Sequence, residues 1–255
     1  MKIIAFANQK GGVGKTTSVI NCGAGLAKQG KKILLIDLDP QAHLTLSLGV
    51  ETHELDNTIY DVLKGNVQIS KALLALPGGM QLLPSSIELS AAEMEFAGEP
   101  GREFLLKNAL KKLDQPLDFI LIDCPPSLGL FTINGLAAAH DIYIPLQTEY
   151  LALHGTGQLM QVVDVVQQRL NDQLKVAGVI GTLYDRRKTL NREVTDKLKE
   201  HFKDTLFNTL IRTNVSLAEA PSYGQDIFTY KPDSAGAADY EALVNEILER
   251  SGNDG

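Results

Sequence analysis

Lys2-Ile3-Ile4-Ala5-Phe6-Ala7-Asn8-Gln9-Lys10-Gly11-Gly12-Val13-Gly14-Lys15-Thr16-Thr17 is the stretch whose reading decides the fold. Its first half is a short apolar run of the kind that makes a buried first strand. Its second half is a phosphate-binding loop that opens a helix. The loop departs from the simplest G-x-x-x-x-G-K-[ST] form. Gln9 stands where that pattern has its first glycine, and a second lysine, Lys10, precedes the glycines. Gly11, Gly12 and Gly14, with Val13 between them, let backbone N–H groups turn inward around an anion. The helix beginning near Gly14 adds the positive end of its dipole. Lys15 then lies against the β/γ-phosphates of a nucleotide, Thr16 offers a hydroxyl to Mg²⁺, Thr17 follows in the first turn, and Lys10 is an extra charge.

Working outward, strand-like runs fall at 2–8, 32–39, 81–84, 118–124, 141–146, 176–183 and 205–211, most of them continuously apolar rather than alternating. That pattern suits a parallel sheet covered on both faces. Helical patterns lie between them, for instance at 15–28, 101–113, 149–170, 190–202 and 236–250. The expectation is α/β: a doubly wound, mostly parallel sheet flanked by helices, of the P-loop NTPase type, with its ligand at the carboxyl ends of the strands. With 255 residues, 44% of them hydrophobic, and no linker or repeat, residues 1–255 read as one domain.

Cys22 and Cys124 are far apart and outside any C-x-x-C spacing, so neither a disulfide framework nor a zinc site is expected. His43, His53, His140, His154 and His201 fall at no metal-ligand spacing and read as ordinary surface or capping residues. The loop begins within ten residues of Met1, which leaves no room for a signal peptide, and no apolar stretch reaches membrane-spanning length. A cytoplasmic, reducing setting is the expectation.

Two further acid sites stand where a nucleotide hydrolase needs them. The run 32–39 ends in Asp37-Leu38-Asp39-Pro40-Gln41, and two carboxylates two residues apart in an extended chain share one side of the strand. One can serve Mg²⁺ and the other the attacking water. The run 118–124 ends in Asp123-Cys124-Pro125-Pro126, an apolar strand closing on one acid, as in the arrangement that holds Mg²⁺ through its water shell. Helix caps or turns are the plainer use of such acids.

Together the Lys10–Thr17 loop, Asp37-Leu38-Asp39-Pro40-Gln41, Asp123-Cys124-Pro125-Pro126-Ser127 and Asn214-Val215-Ser216-Leu217-Ala218-Glu219-Ala220-Pro221-Ser222 resemble ParA/Soj-type partition ATPases, the deviant Walker A group that also contains MinD. The resemblance spans essentially the whole chain. It implies an ATP-dependent homodimer that binds nonspecific DNA, is nucleoid-associated, and is stimulated in hydrolysis by a ParB-like protein. Carried over, it makes Lys10 the signature lysine that reaches the partner's nucleotide, Lys15 the P-loop lysine, Thr16 the Mg²⁺ ligand, Asp39 the residue for the attacking water and Asp123 the Walker B acid. A lysine supplied across an interface acts like an arginine finger in trans. Arg212 and Asn214 fall where relatives hold the adenine. Arg212 replaces a proline common in relatives, and Ser216 an arginine linked there to DNA.

The net charge of −7 is unevenly spread: residues 51–174 hold seven basic and sixteen acidic side chains, residues 175–231 ten and seven. DNA binding needs only a local positive face. Arg186, Arg187, Lys188, Arg192, Lys197, Lys199 and Lys203 provide one. The alternative is a solvated helix face with pairs such as Glu193–Lys197 and Asp196–Lys199. Two rival functions fit less well, and a third remains as the alternative. A MinD-like membrane regulator needs a basic amphipathic C-terminal helix, whereas Ala242–Arg250 is acidic on its polar face. A nitrogenase-reductase-like redox ATPase needs, besides Cys124, a partner cysteine placed to share an iron–sulfur cluster across a dimer, and Cys22 lies within the first helix. Positioning of a protein cargo on the nucleoid would use the same ATPase.

Overall fold

The computed structural model describes residues 1–149 and 156–252. Its strands are β1 Lys2–Phe6, β2 Ile33–Asp37, β3 Leu74–Ala75, β4 Gln81–Leu83, β5 Phe119–Asp123, β6 Asp141–Gln147, β7 Lys175–Tyr184 and β8 Leu206–Arg212. They form one sheet in the order β3-β4-β2-β5-β1-β6-β7-β8, parallel throughout except for the β3–β4 pair. The α-helices among the described residues are α1 Lys15–Lys28, α2 His43–Ser47, α3 Ile59–Lys64, α4 Leu89–Glu95, α5 Leu105–Leu110, α6 Leu130–Ala138, α7 Thr156–Arg169, α8 Thr189–Phe202, α9 Val215–Glu219, α10 Ile227–Tyr230 and α11 Ala235–Gly252.

Alternation along the strands divides the core in two. Ile4 and Phe6 of β1 pack with Val19, Leu26, Tyr240 and Leu243 from α1 and α11, while Ile3 and Ala5 join the cluster under α3 to α8. Both faces are therefore covered, which is why the strands read as unbroken apolar runs. Helices α1 and α11 approach closely at Gly25, where a Cβ would lie 2.7 Å from the Val244 side chain. Overpacking of that kind costs about 1–3 kcal/mol. Because β5, β1 and β2 are parallel neighbours in register, Asp123 stands beside both Phe6 and Asp37, and the acids converge on the end of β1 from which the phosphate loop departs.

Several expectations need correction. The run 32–39 leaves the sheet at Asp37, because the Asp37 carboxylate accepts the N–H groups of Asp39 (3.1 Å) and Thr45 (2.9 Å) and curls the chain into α2. Asp39 therefore lies beyond the strand end, with its N–H bonded to the Asp37 carboxylate. The helix expected at 101–113 divides into a 3₁₀ turn, Arg102–Phe104, and α5. The helix expected at 149–170 starts by Thr156. Glu149 is in a turn, donating its N–H to the Gln147 carbonyl, and 150–155, with His154, lie outside the described residues. The short elements β3, α2, α9 and α10 carry too few residues for periodicity to register. Helix α3 was not expected either; it opens on a formed Thr58–Asp61 capping box.

Candidate functional site

The phosphate loop is bare backbone on its inner side. Gly12 and Gly14 hold left-handed conformations, φ 73° and 86°, and a Cβ at Gly11 or Gly12 would meet nothing within 4 Å. Gly14 is the N-cap of α1, so the N–H groups of Lys15, Thr16 and Thr17 open a 14-residue helix toward the cleft. Lys15 is 8% exposed and folds back to donate to the Lys10 carbonyl (3.3 Å). Burial lowers its pKa, and the Asp123 carboxylate opposes that shift. From outside, the Thr182 hydroxyl at the end of β7 donates to the Val13 carbonyl (2.8 Å). The Asn8 side chain spans the Pro145 carbonyl and the Lys10 N–H.

The three acids differ in what they hold. The Asp123 carboxylate is buried and accepts the Thr16 hydroxyl on Oδ2 at 2.6 Å, leaving its buried Oδ1 without a hydrogen-bond partner. Burial, reinforced by the neighbouring Asp37 charge, raises its pKa to about 8. Asp37 has both oxygens engaged, Oδ1 by Asp39 N–H and Oδ2 by the Thr45 N–H and hydroxyl (2.7 Å). Burial raises its pKa to about 6. Asp39 stands at the cleft edge, its Oδ1 accepting the Gln41 N–H (2.9 Å). A hydroxyl and a buried, partnerless carboxylate oxygen are hard donors that fit Mg²⁺, and no group of three or more His, Cys, Asp or Glu forms a metal cage among the described residues.

The cleft has a volume of about 510 Å³ and runs from Gly11–Thr17, past Asp39, to an apolar end formed by Ile20, Ile211, Leu217, Pro221 and Tyr240. Arg212 and Asn214 line it as expected, but their side chains are committed elsewhere. The Arg212 guanidinium grips Asp239 (Nη2–Oδ1 2.6 Å), and Asn214 caps α9 by accepting the Ser216 N–H. Sequence reasoning missed Gln41, His43, Ser47, Pro126, Thr182, Leu183 and Tyr240, all of which line the cleft. His43 is exposed, as expected of a surface residue, and the fold adds a place at the cleft mouth that the sequence did not show. It begins α2, which the Asp37–Thr45 bonds bring to the cleft mouth. Two non-glycine residues with left-handed backbone, Ala42 (φ 53°) and Leu183 (φ 52°), flank the same cleft.

Lys10 does not enter the cleft. Its Nζ rests outside the loop on Gln147 Oε1 (2.9 Å) and Glu149 Oε2 (3.4 Å). The seven basic residues from Arg186 to Lys203 form no part of the cleft and are all exposed, on the β7–α8 loop, on α8 and, for Lys203, on the 3₁₀ turn that follows it. Arg187 is neutralised locally by a bidentate pair with Asp185. Neither Glu193–Lys197 nor Asp196–Lys199 forms an ion pair among the described residues. Ser216 is buried. Cys22 and Cys124 are free, buried and in the two different core clusters, on opposite faces of the sheet.

Residues 1–176 match the family AAA_31, an AAA domain. Over 252 residues the chain is 48% identical to the chromosome-partitioning ATPase Soj of Treponema pallidum, covering 98% of each chain. It is 44% identical over 247 residues to the sporulation initiation inhibitor protein Soj of Bacillus subtilis, covering 96% of this chain and 98% of that one. Among solved structures, cobyrinic acid a,c-diamide synthase from Mycobacterium smegmatis with bound ADP and magnesium is similar at a TM-score of 0.88 and 40% identity, covering 100% of this chain and 97% of that one.

Proposed function

The chain belongs to the Soj/ParA family of partition ATPases, and from that premise we propose that its ATP hydrolysis drives a dimerisation switch that binds DNA without sequence preference and partitions a chromosome or plasmid. The reaction is hydrolysis of ATP to ADP and phosphate with Mg²⁺. Backbone N–H groups of 11–17 and Lys15 hold the phosphates, and the apolar end at Ile211, Leu217 and Tyr240 takes the base. Thr16 and Asp123 would hold Mg²⁺, with Asp37 behind Asp123 as a second negative charge. Bound there, Mg²⁺ supplies charge neutralisation at the phosphates. Asp39 orients the attacking water.

The observation that carries the dimer is the rest position of Lys10. The Lys10 side chain is 47% exposed and rests on half-buried Gln147 and exposed Glu149, away from the residues that line its own protomer's cleft, which supports a role across an interface. A second copy facing the cleft would receive it, and its charge would act where negative charge develops. The exposed basic face at 186–203 doubles in a two-fold dimer. That supports ATP-dependent DNA binding and nucleoid association, and membership of the Soj/ParA family adds a ParB-like partner to the proposal. The membrane alternative is disfavoured by α11. Its apolar residues Ala237, Tyr240, Leu243, Val244 and Ile247 are already buried against the sheet, and no helix among the described residues is long and apolar enough to cross a membrane.

The test is a salt titration of binding to unrelated DNA sequences with ATP and with ADP. Affinity should require ATP, and log affinity should fall with log salt by about 0.9 per phosphate contact. Alanine at both Arg187 and Lys188 should lower affinity about equally for all sequences and flatten the slope. Equal binding with ADP would remove the switch. An unchanged slope would move the DNA surface elsewhere.

A further inference from the structure

Asn191 sits in the first turn of α8 and is buried. Its amide is used at both ends, on backbone segments far apart in sequence. Nδ2 donates to the Thr148 carbonyl at 2.5 Å, and Oδ1 accepts the Asp185 N–H at 2.8 Å. A buried side chain with its donor and acceptor both committed is a rigid link, since neither bond is replaced by water if it breaks.

The two segments it joins are the two that the dimer reading makes functional. Thr148 lies between Gln147 and Glu149, the groups on which the Lys10 ammonium rests. The Thr148 N–H donates to the Thr182 carbonyl, and the Thr182 hydroxyl bonds the phosphate loop at Val13. Asp185 opens the loop that carries Arg186, Arg187 and Lys188, and its carboxylate accepts the Arg187 backbone N–H and guanidinium. One buried amide therefore separates the exposed basic loop from the residues that hold Lys10 at rest.

We infer that Asn191 is a positioning residue that couples the basic loop to the resting partners of Lys10, so that DNA on the loop and Lys10 engaged across a dimer favour one another. The inference rests on the DNA-binding dimer reading above. Coupling of this kind is reciprocal: the factor by which ATP in place of ADP raises DNA affinity is the factor by which DNA raises affinity for ATP over ADP. A residue that only capped α8 would, when removed, weaken DNA binding alike in every nucleotide state.

The experiment compares DNA affinity with a nonhydrolysable ATP analogue and with ADP, for the full chain and for Asn191→Ala and Asn191→Asp. The aspartate keeps the acceptor for Asp185 but sets a carboxylate oxygen against the Thr148 carbonyl. In the unaltered chain the analogue-to-ADP affinity ratio should be at least about tenfold, and in both variants it should fall to within about threefold, with ATP affinity retained. Absence of DNA binding by the unaltered chain with the analogue would overturn the dimer reading and this inference together. Binding with an unchanged ratio in the variants would overturn this inference alone. Hydrogen exchange on the unaltered chain supplies a readout independent of substitutions. DNA added with the analogue should change exchange at 147–149 as well as at 185–191, and a change confined to 185–191 would refute the coupling.

Discussion

Lys15 and Lys10 belong to one loop, five residues apart, yet the fold treats them in opposite ways. Lys15 is 8% exposed, held by the loop's own backbone, with its pKa lowered by burial and Asp123 opposing. The Lys10 side chain is 47% exposed and rests on Gln147 and Glu149, where water competes for every bond. The inner lysine is part of a finished site, built by three glycines and a helix terminus that lie beside it in sequence. The outer lysine is held cheaply, since exposed ion pairs contribute about 0–1 kcal/mol, and it is free to leave for a better partner.

The comparison breaks first at Lys15. Lys15→Ala should lose ATP binding and hydrolysis together, by about a hundredfold or more in turnover, measured by calorimetric titration with MgATP and by phosphate release. Wild-type turnover in that variant would remove the inner lysine from the chemistry. Lys10→Ala should separate the two quantities. ATP affinity stays within about threefold while hydrolysis drops about a hundredfold and the ATP-analogue dimer is lost on sedimentation. A normal dimer with normal turnover would erase the distinction between the lysines. Asp39→Ala should spare more than either, binding ATP and dimerising but hydrolysing about a hundredfold more slowly, so that the DNA-bound state accumulates.

Smaller effects sharpen the picture. Because burial raises the Asp123 carboxyl to about 8, the neutral form is favoured in the fold. Its contribution to stability is full below the ordinary carboxylate range and is lost as pH rises through about 8. In the metal-free chain at pH 7.5, Asp123→Asn should therefore raise stability by about 2 kcal/mol, or roughly 4–8 °C in Tm, while abolishing Mg²⁺-dependent turnover. A fall in Tm would mean that the charged carboxylate is satisfied without a metal. The smallest effect belongs to Glu149→Gln, which removes the charge from the Lys10 rest position. Dimer formation with the ATP analogue should strengthen by no more than about fivefold, read from the dimer dissociation constant. Weaker dimerisation would make Glu149 part of the dimer contact instead of the resting one.

Much of this was legible in the chain. The loop, the parallel sheet and the two acid-ending strands are local signals: glycine spacing, apolar runs and terminal carboxylates need no long-range contact to be read. The basic face was visible as composition. Less legible were His43, Thr182 and Tyr240, which reach the cleft from α2, β7 and α11. Nothing adjacent to them in sequence marks a site. The commitment of Arg212 to Asp239, 27 residues away, was equally hidden.

What the sequence alone determined is therefore the phosphate-loop ATPase core: its chemistry is carried by residues contiguous in the chain, and its strands announce burial on both faces by their composition. What only the tertiary structure decided is the arrangement around that core. Asp37 ends its strand in a turn because Thr45 reaches its carboxylate, Asp123 is left with a partnerless oxygen because β5 sets it between β1 and β2, and Lys10 waits outside because β6 ends beside it. Those outcomes depend on which strand ends become neighbours, and the order β2-β5-β1-β6 is a property of chain topology that no local run of residues encodes.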